Sequence, residues 1–258
     1  MRAPRAAAAG SVAGTAAVVA VTVDLDDTLF AQSDFLAAAW SHLGEVAQGL
    51  GLLGAEVEAA LVASAAAGSD RGTVVDRALL AVGVAPERLR LLVPPLVEAF
   101  TAFRPSRLHC YPGVVEALRS VRSRVPLACI TDGNPAVQRA KITALGLAGA
   151  FDAVVISDAL GGRQLRKPHP APFHAALARL GVGAAGTVHV GDRPEKDVEG
   201  TRRVGMRCVR VRTGEYAGSD PAPGHEPWLT VADFGAAVAA LEPLLPSRRR
   251  EDYEPAAR

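Results

Sequence analysis

The sequence predicts an α/β protein, a parallel sheet flanked by helices and interrupted near its start by an all-helical insert. Three observations predict this. The β-branched run Val21-Thr22-Val23 ends abruptly in acids, as a buried strand does when it delivers polar groups to its C-terminal edge. From Tyr111 onward, short apolar runs alternate with helix-length segments, the pattern of repeated βα units with right-handed crossovers. Between these two regions, residues 33–107 repeat apolar side chains at helical spacing, and no convincing strand interrupts them.

Taken in order, residues 1–16 are Ala/Gly-rich with little periodicity and are expected to be disordered. The first strand follows and ends at Asp24. Phe35, Leu36, Ala39, Trp40, Leu43, Ala47 and Leu50 then mark a helix, with further helices over 56–67 and 73–82. Pro94-Pro95 is expected to break or start a helix, and Arg104-Pro105-Ser106 reads as a linker. Tyr111-Pro112-Gly113 opens a helix over 114–122, and a strand over 125–130 ends at Thr131-Asp132-Gly133-Asn134. A helix over 135–145 is closed by Gly146, and a strand is expected over 151–156. A helix over 170–180 is ended by Gly181, and a strand over 187–190 leads to Gly191-Asp192. A short helix over 198–204 precedes a strand over 207–211. A last short strand is expected over 228–231 and a closing helix over 234–245, and the charged residues 247–258 are expected to be disordered. The sheet unit thus comprises 17–32 and 108–246, and the helical unit 33–107.

With 258 residues, 49% of them hydrophobic, the chain is long enough to bury a sizeable core. Its net charge of +1 gives no general basic field, so no nucleic-acid partner is expected. No run approaches the roughly 18 uninterrupted apolar residues of a membrane span. Cys110, Cys129 and Cys208 are odd in number and far apart, which fits free thiols in a reducing compartment, and a cytoplasmic protein is expected. It is expected to be a monomer or homodimer. Lysine occurs only at positions 141, 167 and 196, a usage that reads as the arginine bias of a GC-rich genome.

Asp24 and Asp26 carry the chemistry at the first strand end. In an extended chain, residues two apart share a face, so the two carboxylates are expected to converge, which is costly without a cation. Thr131 offers a hydroxyl at the next strand end, followed by Gly133, whose flexibility lets backbone amides approach an anion; capping of the following helix by Thr131 is the alternative. In Lys167-Pro168-His169-Pro170, two prolines hold a lysine on a stiff segment. Asp192, at the end of a valine-rich strand, adds a third acid, and Mg²⁺ suits such an oxygen set.

Asp24-Leu25-Asp26-Asp27-Thr28 resembles the first motif, DxDx(T/V), of the haloacid dehalogenase-like (HAD) superfamily. Thr131 resembles the second motif, Lys167-Pro168-His169-Pro170 the third, and Gly191-Asp192 through Asp197 the fourth, GDxxxxD. The resemblance implies a Rossmann-like core with an inserted helical cap of the C1 type over 33–107. It implies a Mg²⁺-dependent phosphomonoester phosphatase acting on a small phosphorylated metabolite. Asp24 would attack phosphorus, forming an aspartyl-phosphate, and Asp26 would protonate the leaving oxygen and later activate water. Lys167 would join Asp24 and Asp26 as a catalytic group, and Thr131, Asp132, Gly133 and Lys167 would bind phosphate. Asp24, Asp26 and Asp192 would hold the metal. Asp132 stands where many relatives have Asn, and its side chain is expected to point away from phosphate. Arg71, Arg77, Arg104 and Arg107 are candidate contacts to an anionic leaving group, and His189 is expected to serve packing. Haloacid dehalogenases lack the second acid, and a phosphonoacetaldehyde hydrolase needs a lysine that the insert does not contain. A sugar-phosphate mutase and a catalytically silent binding module stay open.

Overall fold

The computed structural model describes residues 17–66, 68 and 72–247; apart from residue 247, the terminal segments expected to be disordered lie outside these, as does Arg71. Six strands, β1 (Ala20–Val23), β2 (Leu127–Thr131), β3 (Ala153–Ile156), β4 (Thr187–Gly191), β5 (Arg207–Val211) and β6 (Leu229–Val231), form one parallel sheet in the order β3-β2-β1-β4-β5-β6. β1 lies between β2 and β4, with Val23 opposite Cys129 on one side and Val190 on the other. The winding direction therefore reverses between β1 and β4, and a crevice opens there at the carboxyl ends of the strands.

Alternation along the strands divides the apolar side chains between two faces. Val21, Val23, Cys129 and Val190 pack with residues of α5 (Val114–Arg122), α6 (Pro135–Ala144) and α9 (Phe234–Leu241). Ala20, Ala128 and Ile130 pack on Phe173, Ala176 and Leu177 of α7 (Ala171–Leu180). With both faces covered, β1, β2 and β4 are buried throughout, as their unbroken apolar runs require. Cys129 and Cys208 are buried and Cys110 half-buried, and all three are free thiols.

The insert is helical, as its periodicity predicts: α1 (Gln32–Gly49), α2 (Gly54–Ala66), α3 (Val74–Ala81) and α4 (Pro86–Ala102). Leu43, Leu61, Leu79 and Leu96 are fully buried in a cluster belonging to these helices. Each such burial stabilises the fold by roughly 1.5–3 kcal/mol. The first turns of α1 belong elsewhere, for Phe35 and Ala39 are buried in the main sheet cluster. One expectation fails here. Pro94 and Pro95 lie inside α4 rather than breaking it. The carbonyls four residues back belong to the exposed Arg90 and Leu91 and can bond water, while Leu92 and Leu96 anchor the helix on either side of the prolines.

Among the described residues, no helix is long and apolar enough to cross a membrane.

Candidate active site

β1 delivers Asp24 to the crevice, where the Asp24 amide donates to the Val190 carbonyl of β4 at 2.9 Å. The chain then leaves the extended conformation. Asp26 forms an isolated bridge with Phe30, and Asp27 takes a left-handed backbone with φ of 59°. Asp27 holds this turn by accepting hydrogen bonds from the amides of Gln32 (2.9 Å) and Glu215 (3.1 Å). Beyond the strand end at Val23, Asp26 lines the same cavity as Asp24, close enough for its charge to add to the rise of the Asp24 carboxyl. The Asp26 carboxylate is held by Lys141 Nζ at 2.7 Å and Gln138 Nε2 at 2.9 Å, both from α6.

Among the described residues, Asp24, Asp192 and Asp197 form a buried carboxylate cluster, with one oxygen from each lying within 4.8 Å of the others. Lys167 stands among them, its Nζ 2.5 Å from Asp24 Oδ1 and 2.7 Å from Asp197 Oδ1. Burial pushes the Asp24 carboxyl up to about 7 against the pull of Lys167, with Asp197 and Asp26 adding to the rise. Burial likewise raises Asp192 well above the usual range, helped by the charges of Asp24 and Asp197. Asp197 goes the other way: burial opposes its ionisation, but Lys167 and a hydrogen bond from His189 outweigh it. One ammonium cannot neutralise three buried carboxylates, and Asp192 Oδ2 is buried with no hydrogen-bond partner. A hard divalent cation with oxygen preference fits that deficit.

Asp197 is better placed as a support than as a metal ligand. Its Oδ1 takes Lys167 and His189 Nε2 (3.1 Å), and its Oδ2 accepts from the Arg193 amide at 3.0 Å. His189 also meets Thr22 Oγ1 at 2.9 Å and the edge of the Phe173 ring, so it packs and orients within the sheet as expected. Gly191 is required by close approach, since a Cβ there would stand 2.4 Å from the Asp197 carboxyl carbon.

Thr131 ends β2 fully buried, and its hydroxyl accepts from Gln138 Nε2. The cap of α6 is Asn134, whose side chain accepts from the Ala136 amide at 2.9 Å, which removes the capping alternative for Thr131. Gly133 follows at φ of 129°, a conformation that other residues rarely adopt. The Asp132 side chain does turn to other work: Oδ1 accepts from the Lys167 amide at 3.0 Å, and Oδ2 lies 3.2 Å from Lys196 Nζ.

A cavity of about 340 Å³ is lined by Asp24, Asp26, Lys141, Lys167, Asp192 and Lys196 on the sheet side and Phe35, Trp40, Val75 and Phe100 on the helical side, while Thr131, His189 and Asp197 are buried behind its wall. Of the arginines expected to reach it from the insert, Arg71 lies outside the described residues, and Arg77, Arg104 and Arg107 do not line it. Arg77 binds the carbonyls of Gly72 and Ser64 and so ties α3 to α2, Arg104 binds the carbonyls of Thr101 and Phe103, and Arg107 lines a different depression. Among the described residues, the arginines on the cavity wall are Arg163, Arg166 and Arg193, all from the sheet unit.

Residues 18–205 match the family model of haloacid dehalogenase-like hydrolases. The chain is 36% identical over 155 residues to a glyceraldehyde 3-phosphate phosphatase of Methanopyrus kandleri, a match covering 60% of this chain and 64% of that one. It is 41% identical over 150 residues to a phosphoserine phosphatase of Thermus thermophilus, covering 57% of each. The chain thus spans less than two thirds of the length of these relatives. Among solved structures, a 2-haloacid dehalogenase from Pseudomonas syringae pv. Tomato DC3000 superposes with a TM-score of 0.60 at 26% identity, over 88% of this chain and 98% of that one.

Proposed function

Because this chain belongs to the haloacid dehalogenase-like hydrolase family, we propose that it is a Mg²⁺-dependent phosphatase that cleaves a small phosphomonoester through phosphorylated Asp24. The observation that carries this reading is the buried group Asp24, Asp192 and Lys167, with a further acid, Asp26, lining the same cavity. The names of the phosphatase relatives support a small phosphorylated metabolite as substrate. A dehalogenase reading is weaker, since halide departs without a proton and would give Asp26 nothing to do.

An Asp24 oxygen attacks phosphorus and the ester P–O bond breaks, the leaving oxygen taking a proton from Asp26. Water then attacks phosphorus, gives its proton to Asp26 and releases phosphate, which restores both carboxylates to their starting state. Lys167 keeps its proton throughout, fixing Asp24 and offsetting charge on the transferring group. Thr131 and the flexible backbone at Gly133 bind phosphate oxygens beside the start of α6. Asp24 and Asp192 are the carboxylates that would hold Mg²⁺, while Asp26 serves the leaving oxygen. The metal would offset phosphoryl charge and orient the ester for in-line attack. The helices α1 to α4 act as a cap that excludes water from this chemistry. The free thiols fit a reducing compartment such as the cytoplasm.

The test is phosphate release from a panel of phosphorylated metabolites and p-nitrophenyl phosphate, with Mg²⁺ or after exhaustive chelation, for the intact chain and Asp24→Asn. Activity should need Mg²⁺, and the variant should lose several orders of magnitude. Rapidly quenched wild type should carry one phosphate, on Asp24. Full turnover after chelation, or phosphate on another residue, would overturn the assignment.

A further inference from the structure

The chain carries 28 lysines and arginines, and only three are lysine, at positions 141, 167 and 196. All three line the one cavity that holds the buried carboxylates. A genomic bias toward arginine explains the scarcity of lysine but not this placement. An ammonium is a compact point charge, whereas a guanidinium is a broad planar fork, so a crowded acidic pocket is where the two are least interchangeable. Lys167 serves Asp24 and Asp197, and Lys196 pairs with Asp132. Lys141 has no role in the steps above.

Its setting is well defined. Gln138 and Lys141 are three residues apart on α6, so both face the same way. They are 2% and 4% exposed, and they grip opposite oxygens of one carboxylate: Gln138 Nε2 lies 2.9 Å from Asp26 Oδ2 and Lys141 Nζ 2.7 Å from Oδ1. The remaining side of the ammonium is apolar, with Nζ 4.5 Å from the centre of the Phe35 ring and 6.0 Å from that of Phe30. Gln138 also donates to the Thr131 hydroxyl, so the clamp on Asp26 is tied to the end of β2. Without the clamp, a short flexible side chain two residues beyond Asp24 would be free to turn away from the leaving oxygen.

We propose that Lys141, with Gln138 beside it, is a positioning residue that fixes the Asp26 carboxylate at the leaving-oxygen end of the cavity. This rests on the phosphatase reading. Lys141 exchanges no proton in either step. It holds Asp26 where it can give a proton as the ester P–O bond breaks and take one from the attacking water. General acid catalysis contributes about 10²–10⁴-fold when the leaving group needs a proton and little when it does not. Losing the position of Asp26 should therefore penalise alkyl phosphates selectively.

The experiment compares kcat/KM of the intact, Mg²⁺-loaded wild type, Lys141→Met and Lys141→Arg on p-nitrophenyl phosphate and glycerol 2-phosphate. This ratio reports only steps up to alcohol release, so the later attack of water does not enter. Lys141→Met should lose about 10²-fold or more on glycerol 2-phosphate and under about tenfold on p-nitrophenyl phosphate, with Lys141→Arg recovering part of the difference. Gln138→Leu, read the same way, takes the place of Lys141→Met if that variant fails to fold. Equal losses on both esters, or no loss on either, overturn the positioning role. If the wild type turns over another alkyl phosphate of the panel instead, that ester replaces glycerol 2-phosphate; a wild type that hydrolyses no phosphate ester overturns the phosphatase reading and this inference with it, whereas wild-type turnover with equal losses overturns this inference alone.

Discussion

Asp24 and Asp192 are buried together beside Asp197 and a single ammonium, and that excess of negative charge sets how stability must vary with pH. The Asp24 carboxyl, ordinarily near 3.8, is pushed up to about 7 by burial, and Asp192 moves in the same direction. Between those values the folded chain binds protons that the unfolded chain has already lost, so its stability falls as pH rises through the window. Asp197, held below its usual value against burial by Lys167, works in the opposite sense, but only below the ordinary range near 3.8. In chelator, the thermal midpoint should therefore fall between pH 6.5 and pH 8, above the range in which His189, lowered from 6.5 by burial, works in the opposite sense, and Asp192→Asn should flatten the fall. Added Mg²⁺ should raise the midpoint most at pH 8, because the ion competes with the protons. A midpoint that climbs across this range in chelator, read by scanning calorimetry, would contradict the assigned crowding. Asp24, Thr131, Lys167 and Asp192 are legible in the sequence because each sits at a strand end or beside prolines, where local pattern announces it. Gln138 and Lys141 are not, since their partner Asp26 lies 112 and 115 positions away and nothing local distinguishes them from a solvated helix face.

At the scale of elements, the order and type of nearly every helix and strand follow from hydrophobic periodicity, because the central strands β1, β2 and β4 are buried throughout and each long helix has one apolar side. Boundaries drift by a residue or two. The strand expected over 125–130 is Leu127–Thr131, and the helix expected over 198–204 is preceded by a separate wide turn, Pro194–Val198, before α8 (Glu199–Val204). That turn is functional geometry that propensity does not foresee, for it places Lys196 and Asp197 toward the cavity. The clearest failure of propensity is Pro94-Pro95, where packing of Leu92 and Leu96 overrides two helix breakers. It carries a prediction. Pro94 is exposed, so Pro94→Ala removes little contact and restores an amide that can bond the Arg90 carbonyl. A helix-interior proline costs about 3 kcal/mol relative to alanine, offset by about 1 kcal/mol from its restriction of the unfolded chain. Pro94→Ala should stabilise the protein by about 1–2 kcal/mol in urea titration at pH 7. Destabilisation would mean that the ring, rather than the helix, is what the native packing needs.

For the whole molecule the question is where the helical unit ends and the sheet unit begins. The linker at Arg104-Pro105-Ser106 and the acids at the end of β1 suggest a cut at 33–107, and burial argues for a later start and an earlier end. Phe35 and Ala39 are buried in the sheet cluster, and Phe35 meets Phe100 and Phe103 at ring-centre separations of 6.0 and 5.8 Å. Trp40 stacks on Phe100 with ring centres 5.3 Å apart, so the start of α1 and the end of α4 run side by side. The cluster built around Leu43, Leu61, Leu79 and Leu96 lies beyond that pair and is shared with no strand. Excising 33–107 would strip Phe35 from the sheet cluster, a loss of about 3–5 kcal/mol if it acts as a truncated core aromatic does. Excising 41–99 with a short Gly/Ser bridge would remove the self-contained cluster and leave the aromatic seam. The expected result is that the second deletion stays soluble and unfolds cooperatively in urea, while the first aggregates. The second should also keep Mg²⁺-dependent cleavage of p-nitrophenyl phosphate at reduced kcat/KM and lose discrimination among metabolites, because the sheet unit holds the carboxylates while the helices enclose the leaving group. Two soluble deletions that both unfold cooperatively would place the boundary at the linker after all, and unfolding of both would make the helices part of one cooperative core.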